Sequence, residues 1–298
     1  MVAFDDSASG SSPITVTLTG DHSATTVTNN STKNYLLSGN QSINSLQLIK
    51  DGGSTLTLDN GSANSFASVS INSGTLQIGN NDTNGSVGSG TVTANGTLKF
   101  NRTDNLTFSN TISGSGGITQ SGSGAIVLSG ANSYSGNTVV NAGKLATTTA
   151  STGGGAYSVA DGATLEAQVV ASGSQLAVSS LTLGTSGSLT NNFTLGSFGS
   201  TTVPAVAVSG VLALNGTVAV NVTGSGLTTG TYLLMSYGSI SGSGSFVLAS
   251  TSSVNGNSVS LINDTVNKQL QLVYTAVPAL TWDAGNTANG ATIDAASG

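Results

Sequence analysis

Apolar residues in this chain occur in short runs that are separated by glycine, serine and asparagine. Residues 114–146 show the pattern most clearly, with apolar runs at Ile118, Ile126-Val127-Leu128 and Val139-Val140. No run is long enough for a helix, and none shows the apolar period of an amphipathic helix. Short β-branched runs cut by turn residues are typical of strands. The pattern therefore predicts many short strands, which bury enough apolar surface only when copies stack on one another.

A short motif recurs along the chain: a polar residue, a leucine, a polar or small residue and usually a second apolar residue. The interval from Leu98 to Leu145 is longer and fits two periods of the motif. Either Ile118 or Ile126 marks the strand between them. A period of about 20 residues, with strands that end in glycine or asparagine, predicts a solenoid. The motif begins at Thr55, Thr75, Thr97, Lys144 and Thr164.

The apolar positions of these strands are expected to face a shared core. Burying one leucine contributes about 1.5–3 kcal/mol. A coil of about 20 residues offsets its ordering cost only when a neighbouring coil lies on each side. The predicted inward positions are Leu56, Leu58, Val69, Ile71, Leu76, Ile78, Val92, Leu98, Phe100, Ile126, Leu128, Val139 and Leu145.

The order of residues 114–145, GSGGIT, then SGSGAIVLSG, then ANSYSGNTVVNAGKL, resembles the autotransporter-associated β-strand repeat, or passenger-associated transport repeat. The flanks, including Phe4-Asp5-Asp6 and Trp282-Asp283-Ala284-Gly285, resemble the same class of proteins more loosely. The resemblance implies an all-β fold, a single-stranded parallel β-helix that is right-handed and displayed outside a bacterial cell. It implies no particular ligand or reaction.

The pattern divides the chain into four parts. Residues 1–40 are predicted to form N-terminal coils or a cap, and residues 41–168 the regular β-helix repeats. Residues 169–275 are predicted to continue the β-helix with wider, more apolar coils and closing strands. Residues 276–298 are predicted to form a linker, where Pro278 favours extended backbone, and the start of a next module. The motif at Trp282 thus favours a piece of a longer exported protein.

Composition narrows the class of protein. Only 6% of the residues are charged, and the net charge is −6 with five lysines and Arg102. This balance disfavours a basic face for nucleic acid. The chain has no cysteine, which excludes disulfides and thiolate metal sites. No apolar run approaches the ~20 residues of a membrane-spanning helix, so the low charge indicates a β-rich fold with a surface of serine, threonine and asparagine.

The scattered acidic residues disfavour a catalytic site. Polysaccharide lyases and hydrolases with a β-helix fold need clustered carboxylates for calcium binding or acid–base chemistry. Asp5-Asp6 is the only adjacent pair, and such a pair is typical of a polar cap or turn. The only histidine, His22, follows Asp21 in a sequence typical of a solvated turn rather than a catalytic triad. We therefore predict no catalytic residue, no metal site and no cofactor.

Four further motifs have both a binding and a structural interpretation. Residues 79–85 resemble a calcium loop but contain one carboxylate, Asp82, so a turn is favoured. The glycine-rich segments 114–117 and 153–155 lack a following helix, which favours turns over phosphate loops. Tyr134 either stacks on a sugar or packs over its own coil, and packing is favoured. Asparagines at strand ends are expected to form amide ladders between coils. These are Asn60, Asn80, Asn101, Asn110 and Asn141.

The favoured function is a non-catalytic structural passenger or stalk of a bacterial autotransporter-like protein, at the cell surface or secreted. The alternative is an adhesin that binds glycans or host or neighbouring cells. A polysaccharide-degrading enzyme is disfavoured. Expected partners are the rest of a longer passenger, an outer-membrane barrel in the parent protein, and extracellular glycans or cell surfaces. Open strand edges at the ends predict end-to-end self-association. An adhesin should expose a row of aromatic or charged residues on one face.

Overall fold

Short extended segments alternate with turns along the whole of the described chain. The computed structural model describes residues 1–249 and 257–276, and within them it contains 27 strands and no helix. None of those residues forms a helix that could cross a membrane. Pro278 and the motif at Trp282 lie outside the described residues.

The strands are β1 (Val2–Asp5), β2 (Ile14–Leu18), β3 (His22–Asn30), β4 (Tyr35–Gly39), β5 (Ile43–Asp51), β6 (Thr55–Leu58), β7 (Ser65–Ile71), β8 (Thr75–Asp82), β9 (Thr91–Ala94), β10 (Thr97–Arg102), β11 (Leu106–Phe108), β12 (Ile112–Ser113), β13 (Ile118–Gln120), β14 (Ala125–Leu128), β15 (Thr138–Val140), β16 (Lys144–Thr148), β17 (Tyr157–Val159), β18 (Thr164–Gln168), β19 (Leu176–Val178), β20 (Leu181–Leu183), β21 (Ser188–Gly196), β22 (Val206–Leu214), β23 (Thr217–Gly224), β24 (Gly230–Ser241), β25 (Ser245–Leu248), β26 (Asn257–Asp264) and β27 (Gln269–Ala276).

These strands stack into three sheets. Sheet 1 has the order β1-β3-β5-β7-β9-β12. Sheet 2 has the order β2-β4-β6-β8-β10-β13-β15-β17-β20-β22-β24-β27-β26, with β19 also paired to β22. Sheet 3 has the order β11-β14-β16-β18-β21-β23-β25. Consecutive strands therefore lie in different sheets, except for β19–β20 and β26–β27, which belong to sheet 2. Sheet 1 collects strands from the first coils and sheet 3 from the later ones, whereas sheet 2 runs through both, as in a β-helix solenoid.

Every strand pair is parallel until the end of the described chain. There β27 runs antiparallel to β24, and β26 runs antiparallel to β27. The prediction of a parallel solenoid is therefore wrong for this last pair of strands. A tight turn between β26 and β27, where Lys268 has a φ of 58°, reverses the chain and makes a parallel crossover impossible there.

Register partners in sheet 2 follow one another at nearly constant intervals. From Ile14 through Leu56, Leu76 and Leu98 to Tyr157, each partner lies 19 to 22 residues beyond the last. The interval is 24 residues from Tyr157 to Leu181 and 31 residues from Leu181 to Leu212. The division into four parts predicted above stays a prediction.

The leucine motif changes sheet along the chain. Leu56, Leu76 and Leu98 form one column in sheet 2, whereas Leu145 and Leu165 are partners in sheet 3. Both candidate residues between Leu98 and Leu145 lie in strands of the stack. Ile118 pairs with Leu98 in sheet 2, and Ile126 pairs with Leu145 in sheet 3.

The core runs along the inside of the three sheets. Twelve of the thirteen predicted inward residues are buried, and Val139 is the exception. In β15 the buried positions are Thr138 and Val140, which pair with Ile118 and Gln120. Because Val139 and Val140 are adjacent and both apolar, the sequence pattern could not decide which of them faces inward. The inward place of Thr138 is possible because its hydroxyl lies 2.8 Å from that of Tyr134.

Backbones of successive coils come very close at some corners. A Cβ atom added to Gly116 would lie 1.9 Å from the carbonyl oxygen of Gly96. The amide of Gly116 donates to the carbonyl of Ala94 at 2.7 Å, so the corner cannot move away without losing that bond. A side chain at this position is therefore incompatible with stacking.

We predict that Gly116→Ala lowers the free energy of unfolding by about 1–3 kcal/mol, the usual cost of overpacking. Urea denaturation followed by circular dichroism measures the change. The matched control is Gly53→Ala, because no heavy atom lies within 4 Å of a Cβ added there. Equal effects of the two substitutions would show that the close approach does not limit stability.

Candidate functional site

Acidic side chains at the corners hold the next coil in place. Asp6 accepts hydrogen bonds from the Ser31 hydroxyl at 2.6 Å and the Thr32 amide at 2.9 Å. Asp21 binds the amide and hydroxyl of Ser42 at 2.9 and 2.8 Å. Asp161 contacts Thr185 in the same way, and these hydrogen bonds lower the pKa of Asp161 to about 2. Each carboxylate thus links two coils, because its hydrogen-bond partner lies more than 20 residues further along the chain.

The Asp5-Asp6 pair and His22 lie at exposed positions near the start of the chain. Asp5 ends β1 and accepts a hydrogen bond from the Ser7 amide at 2.9 Å. His22 is the first residue of β3 and is exposed, so the turn predicted for this segment ends at Asp21. The carboxylate of Asp21 accepts hydrogen bonds from Ser42 and none from the His22 imidazole, so the two residues lack the contact that orients a triad histidine.

Two carboxyl groups from neighbouring coils, one of them from the segment 79–85, lie against each other. Asp59 follows β6, and Asp82 ends β8. Burial, followed by contact with the Asp82 carboxyl, raises the pKa of Asp59 to about 6. Burial also opposes ionisation of Asp82, but hydrogen bonds led by the Asn84 amide at 3.0 Å outweigh it and lower the pKa. One atom, Oδ1 of Asp59, is buried without a hydrogen-bond partner.

Arg102 occupies the carbonyl-lined side of the same segment. Its guanidinium donates to the backbone carbonyls of Thr83, Asn84 and Gly85, the last at 2.6 Å. It also forms an ion pair with Asp104 at 2.8 Å. The carbonyl oxygens that a calcium ion would use are therefore bound to a protein cation. This chemistry favours a structural role for residues 79–85 over calcium binding. The turn is shorter than the sequence predicted, because residues 79–82 belong to β8.

We predict that Asp59→Asn stabilises the protein at about pH 7.5. A carboxyl whose pKa rises on folding contributes stability below its unfolded pKa of about 4. That contribution is lost as the pH rises through the folded pKa, here about 6. The expected gain is about 1 kcal/mol, because Asp59 is only partly buried and solvent screens the repulsion. Urea denaturation at about pH 5 and about pH 7.5 measures the change.

Asp264→Asn is the matched control for Asp59→Asn. Asp264 is a turn carboxylate that accepts hydrogen bonds from the amides of Val266 and Asn267 at 3.1 and 2.9 Å. These bonds lower its pKa, so its stabilising contribution is present at neutral pH and is lost on acidification. The control should therefore lose stability at about pH 7.5. A loss of stability for Asp59→Asn as well would show that the Asp59 carboxylate is favourably bonded.

Two further charged groups are buried by the sheets. Lys50 is completely buried on the inner side of β5, and burial lowers its pKa to about 8. Its ammonium group donates to the carbonyls of Asp51 and Gly52 at 2.6 and 2.9 Å. In sheet 3, burial opposes ionisation of Glu166, but bonds from Lys144, Gln168 and Thr194 outweigh it and lower the pKa. Sequence reasoning missed both groups.

Tyr134 lies inside the solenoid and not on its surface. Only 4% of the side chain is exposed, and its hydroxyl lies 2.8 Å from that of Thr138 and 3.2 Å from that of Tyr157. Burial raises the pKa of both tyrosines. A buried ring cannot stack on a sugar, so the predicted alternative, packing over the coil, is the one observed.

The glycine-rich segments are corners between coils. Gly116 and Gly117 precede β13, and Gly153 lies so near the previous coil that an added Cβ would be 1.8 Å from the carbonyl oxygen of Tyr134. No helix follows either segment within the described residues. The backbone amide of Gly116 bonds to the carbonyl of Ala94 in the adjacent coil. This amide is thus engaged in stacking rather than directed at a phosphate.

The predicted asparagine ladder is not formed. Asn60 exchanges hydrogen bonds with Asn64 in its own turn, at 2.7 and 2.9 Å. Asn110 donates to the carbonyls of Gly88 and Gly90, at 3.0 and 2.5 Å. The amides of Asn60 and Asn110 thus bond to backbone carbonyls, and that of Asn60 also to a neighbour in its own turn, rather than to an asparagine of the next coil. A hydrogen bond between side-chain amides of neighbouring strands occurs elsewhere, where Asn221 donates to Asn192 at 3.1 Å.

The exposed surface offers few aromatic or acidic clusters. Phe198 is the one exposed aromatic side chain in residues 1–249 and 257–276. In the same residues, no three histidine, cysteine or acidic side chains are close enough to hold a metal ion. An adhesin that relies on an aromatic row is therefore not supported by the part of the surface that the structure describes.

Comparison with known proteins finds one family. The family model of the passenger-associated-transport-repeat matches residues 48–78 and 118–146, together about a fifth of the chain. The first match runs from the end of β5 through β8, and the second from β13 into β16. The second also covers most of the segment whose sequence resembles this repeat. No curated protein and no solved structure matches the chain.

Proposed function

We propose that this chain, which carries two passenger-associated transport repeats, is a non-catalytic structural section of a bacterial autotransporter-type protein. The repeat matches are the observation that carries the proposal. The all-β stack supports it, because strands β2 to β24 of sheet 2 form a continuous parallel column of eleven strands. At about 4.8 Å between strands, this column spans about 50 Å.

The finer features of the stack belong to the same proposal. We take the solenoid to be right-handed, since parallel strands of one sheet joined by a crossover are right-handed in about 98% of cases. We also take its coil to be about 20 residues, widening toward the C-terminal part. A rod of this kind holds whatever lies beyond it away from the membrane. The transport repeat supports a place at the cell surface or outside the cell.

We predict that the role depends on in-register stacking and length rather than on particular side chains. Ile118 and Thr138 are register partners, so deleting residues 118–137 removes one coil in phase. Fused between an N-terminal epitope and an autotransporter barrel, this variant should display the epitope on intact cells as the full chain does. Deleting residues 118–127 breaks the phase and should abolish both display and protease resistance. Flow cytometry measures epitope display.

The non-catalytic part of the proposal has its own measurement. The purified chain is incubated with a panel of soluble and insoluble polysaccharides, and new chain ends are assayed. We expect none. New chain ends would overturn the proposal and make the acidic residues, above all Asp59 and Asp82, the next targets.

Self-association is a second, separate proposal. The strands at the start of the stack, β1 and β2, each have a hydrogen-bonding edge without a neighbour among the described strands. Unpaired edges template pairing with another chain. We expect concentration-dependent association by light scattering, weakened when Thr15, which lies outward on β2, is replaced by proline. A monodisperse monomer at high concentration would contradict this.

A further inference from the structure

A groove crosses sheet 1 where its strands bend. Ala24 pairs with Ser45, which pairs with Phe66, and pairing resumes two residues later on each strand. Leu46 and Ala67 thus fall at neighbouring bends without register partners. The bends line a groove of about 600 Å³ that runs from β3 across β5 and β7 to the turn before β9.

A second concavity lies next to the groove. It measures about 160 Å³, shares Ser89 with the groove and reaches the strand β11. The groove itself crosses β3, β5 and β7, so it runs along the axis of stacking and passes over successive coils. A shape of this kind suits an elongated chain rather than a compact small molecule.

The lining of the groove is uncharged. Hydroxyl and amide groups from Asn44, Ser65 and Ser89 alternate with the apolar side chains of Leu46 and Ala67. No aspartate, glutamate, lysine, arginine or histidine lines either concavity. Leu46 is 65% exposed, which is unusual for a leucine in the middle of a strand, whereas Phe66 forms a buried floor.

We propose that this groove binds a linear, uncharged polysaccharide. Such a chain presents hydroxyl groups along its edges and apolar faces on its rings, and the lining offers partners for both. Charged polymers find no opposite charge in the lining, and the net charge of −6 repels acidic ones. This site goes beyond the structural role proposed above and does not depend on it.

An extended peptide is a poorer match for the same groove. Peptides that add to sheets bind through backbone hydrogen bonds at a free strand edge. Except at Leu46 and Ala67, the strands under the groove use their backbone groups for one another, since β5 pairs with β3 on one side and β7 on the other. The groove therefore offers a peptide no free strand edge, whereas its side-chain hydroxyl and amide groups match sugar hydroxyls.

Titration calorimetry of the full chain with soluble neutral hexasaccharides tests the proposal. The probes are cellohexaose, laminarihexaose and chitohexaose, with the corresponding disaccharides and a polygalacturonate fragment for comparison. We expect at least one hexasaccharide to bind, about tenfold or more tighter than its disaccharide. Leu46→Glu should weaken that binding about tenfold, because it places a charge in the groove where sugar must displace water.

Val211→Glu is the matched control, since Val211 is 44% exposed on β22, outside the groove. It should bind the hexasaccharide as the unchanged chain does. The proposal is overturned if no neutral hexasaccharide binds, if Leu46→Glu and Val211→Glu bind alike, or if polygalacturonate binds as tightly as the neutral probes. Circular dichroism of both variants confirms that each is folded before titration.

Discussion

The backbone contact between one coil and the next is the constraint on which the rest of this structure depends. Parallel strands bond to their neighbours in the adjoining coils, so corners must approach as closely as strands do. That approach excludes a side chain at Gly116. It also brings carboxylates such as those of Asp6 and Asp161 within hydrogen-bond distance of the adjoining coil. The chain has few charges, and several of them link one coil to the next.

The sequence pattern predicts the strands and nearly all inward positions, because alternation within a strand is a local property. It fails at Val139, where two valines fit either phase and the partner strand decides. It also cannot tell that Leu98 and Leu145 lie in different sheets. The same four-residue motif fits any face of a solenoid, so the sheet a strand joins depends on the lengths of the corners before it.

Polar clusters were harder to predict, because their members come from different coils. The sequence shows one carboxylate in residues 79–85, yet Asp59, from the coil before, lies against Asp82. Arg102 comes from the coil after and binds the carbonyls of the same segment. The packing of Tyr134 was predicted correctly, although its neighbours in the sequence, Ser133 and Ser135, are polar. The groove has no sequence signature, since the gap in strand pairing at Leu46 and Ala67, which line it, is visible only in the structure.

The two transport repeats occupy different faces of the solenoid. Residues 48–78 alternate between sheets 1 and 2, whereas residues 118–146 alternate between sheets 2 and 3. The matched segments thus share an alternation of strands between two sheets, and not a particular face. Sheet 1 ends at β12, whereas sheet 2 continues through the coils that follow. The groove lies within the coils of sheet 1, from β3 to the turn before β9. Stacking can thus serve the whole rod, and a binding site can be confined to the coils in which sheet 1 persists.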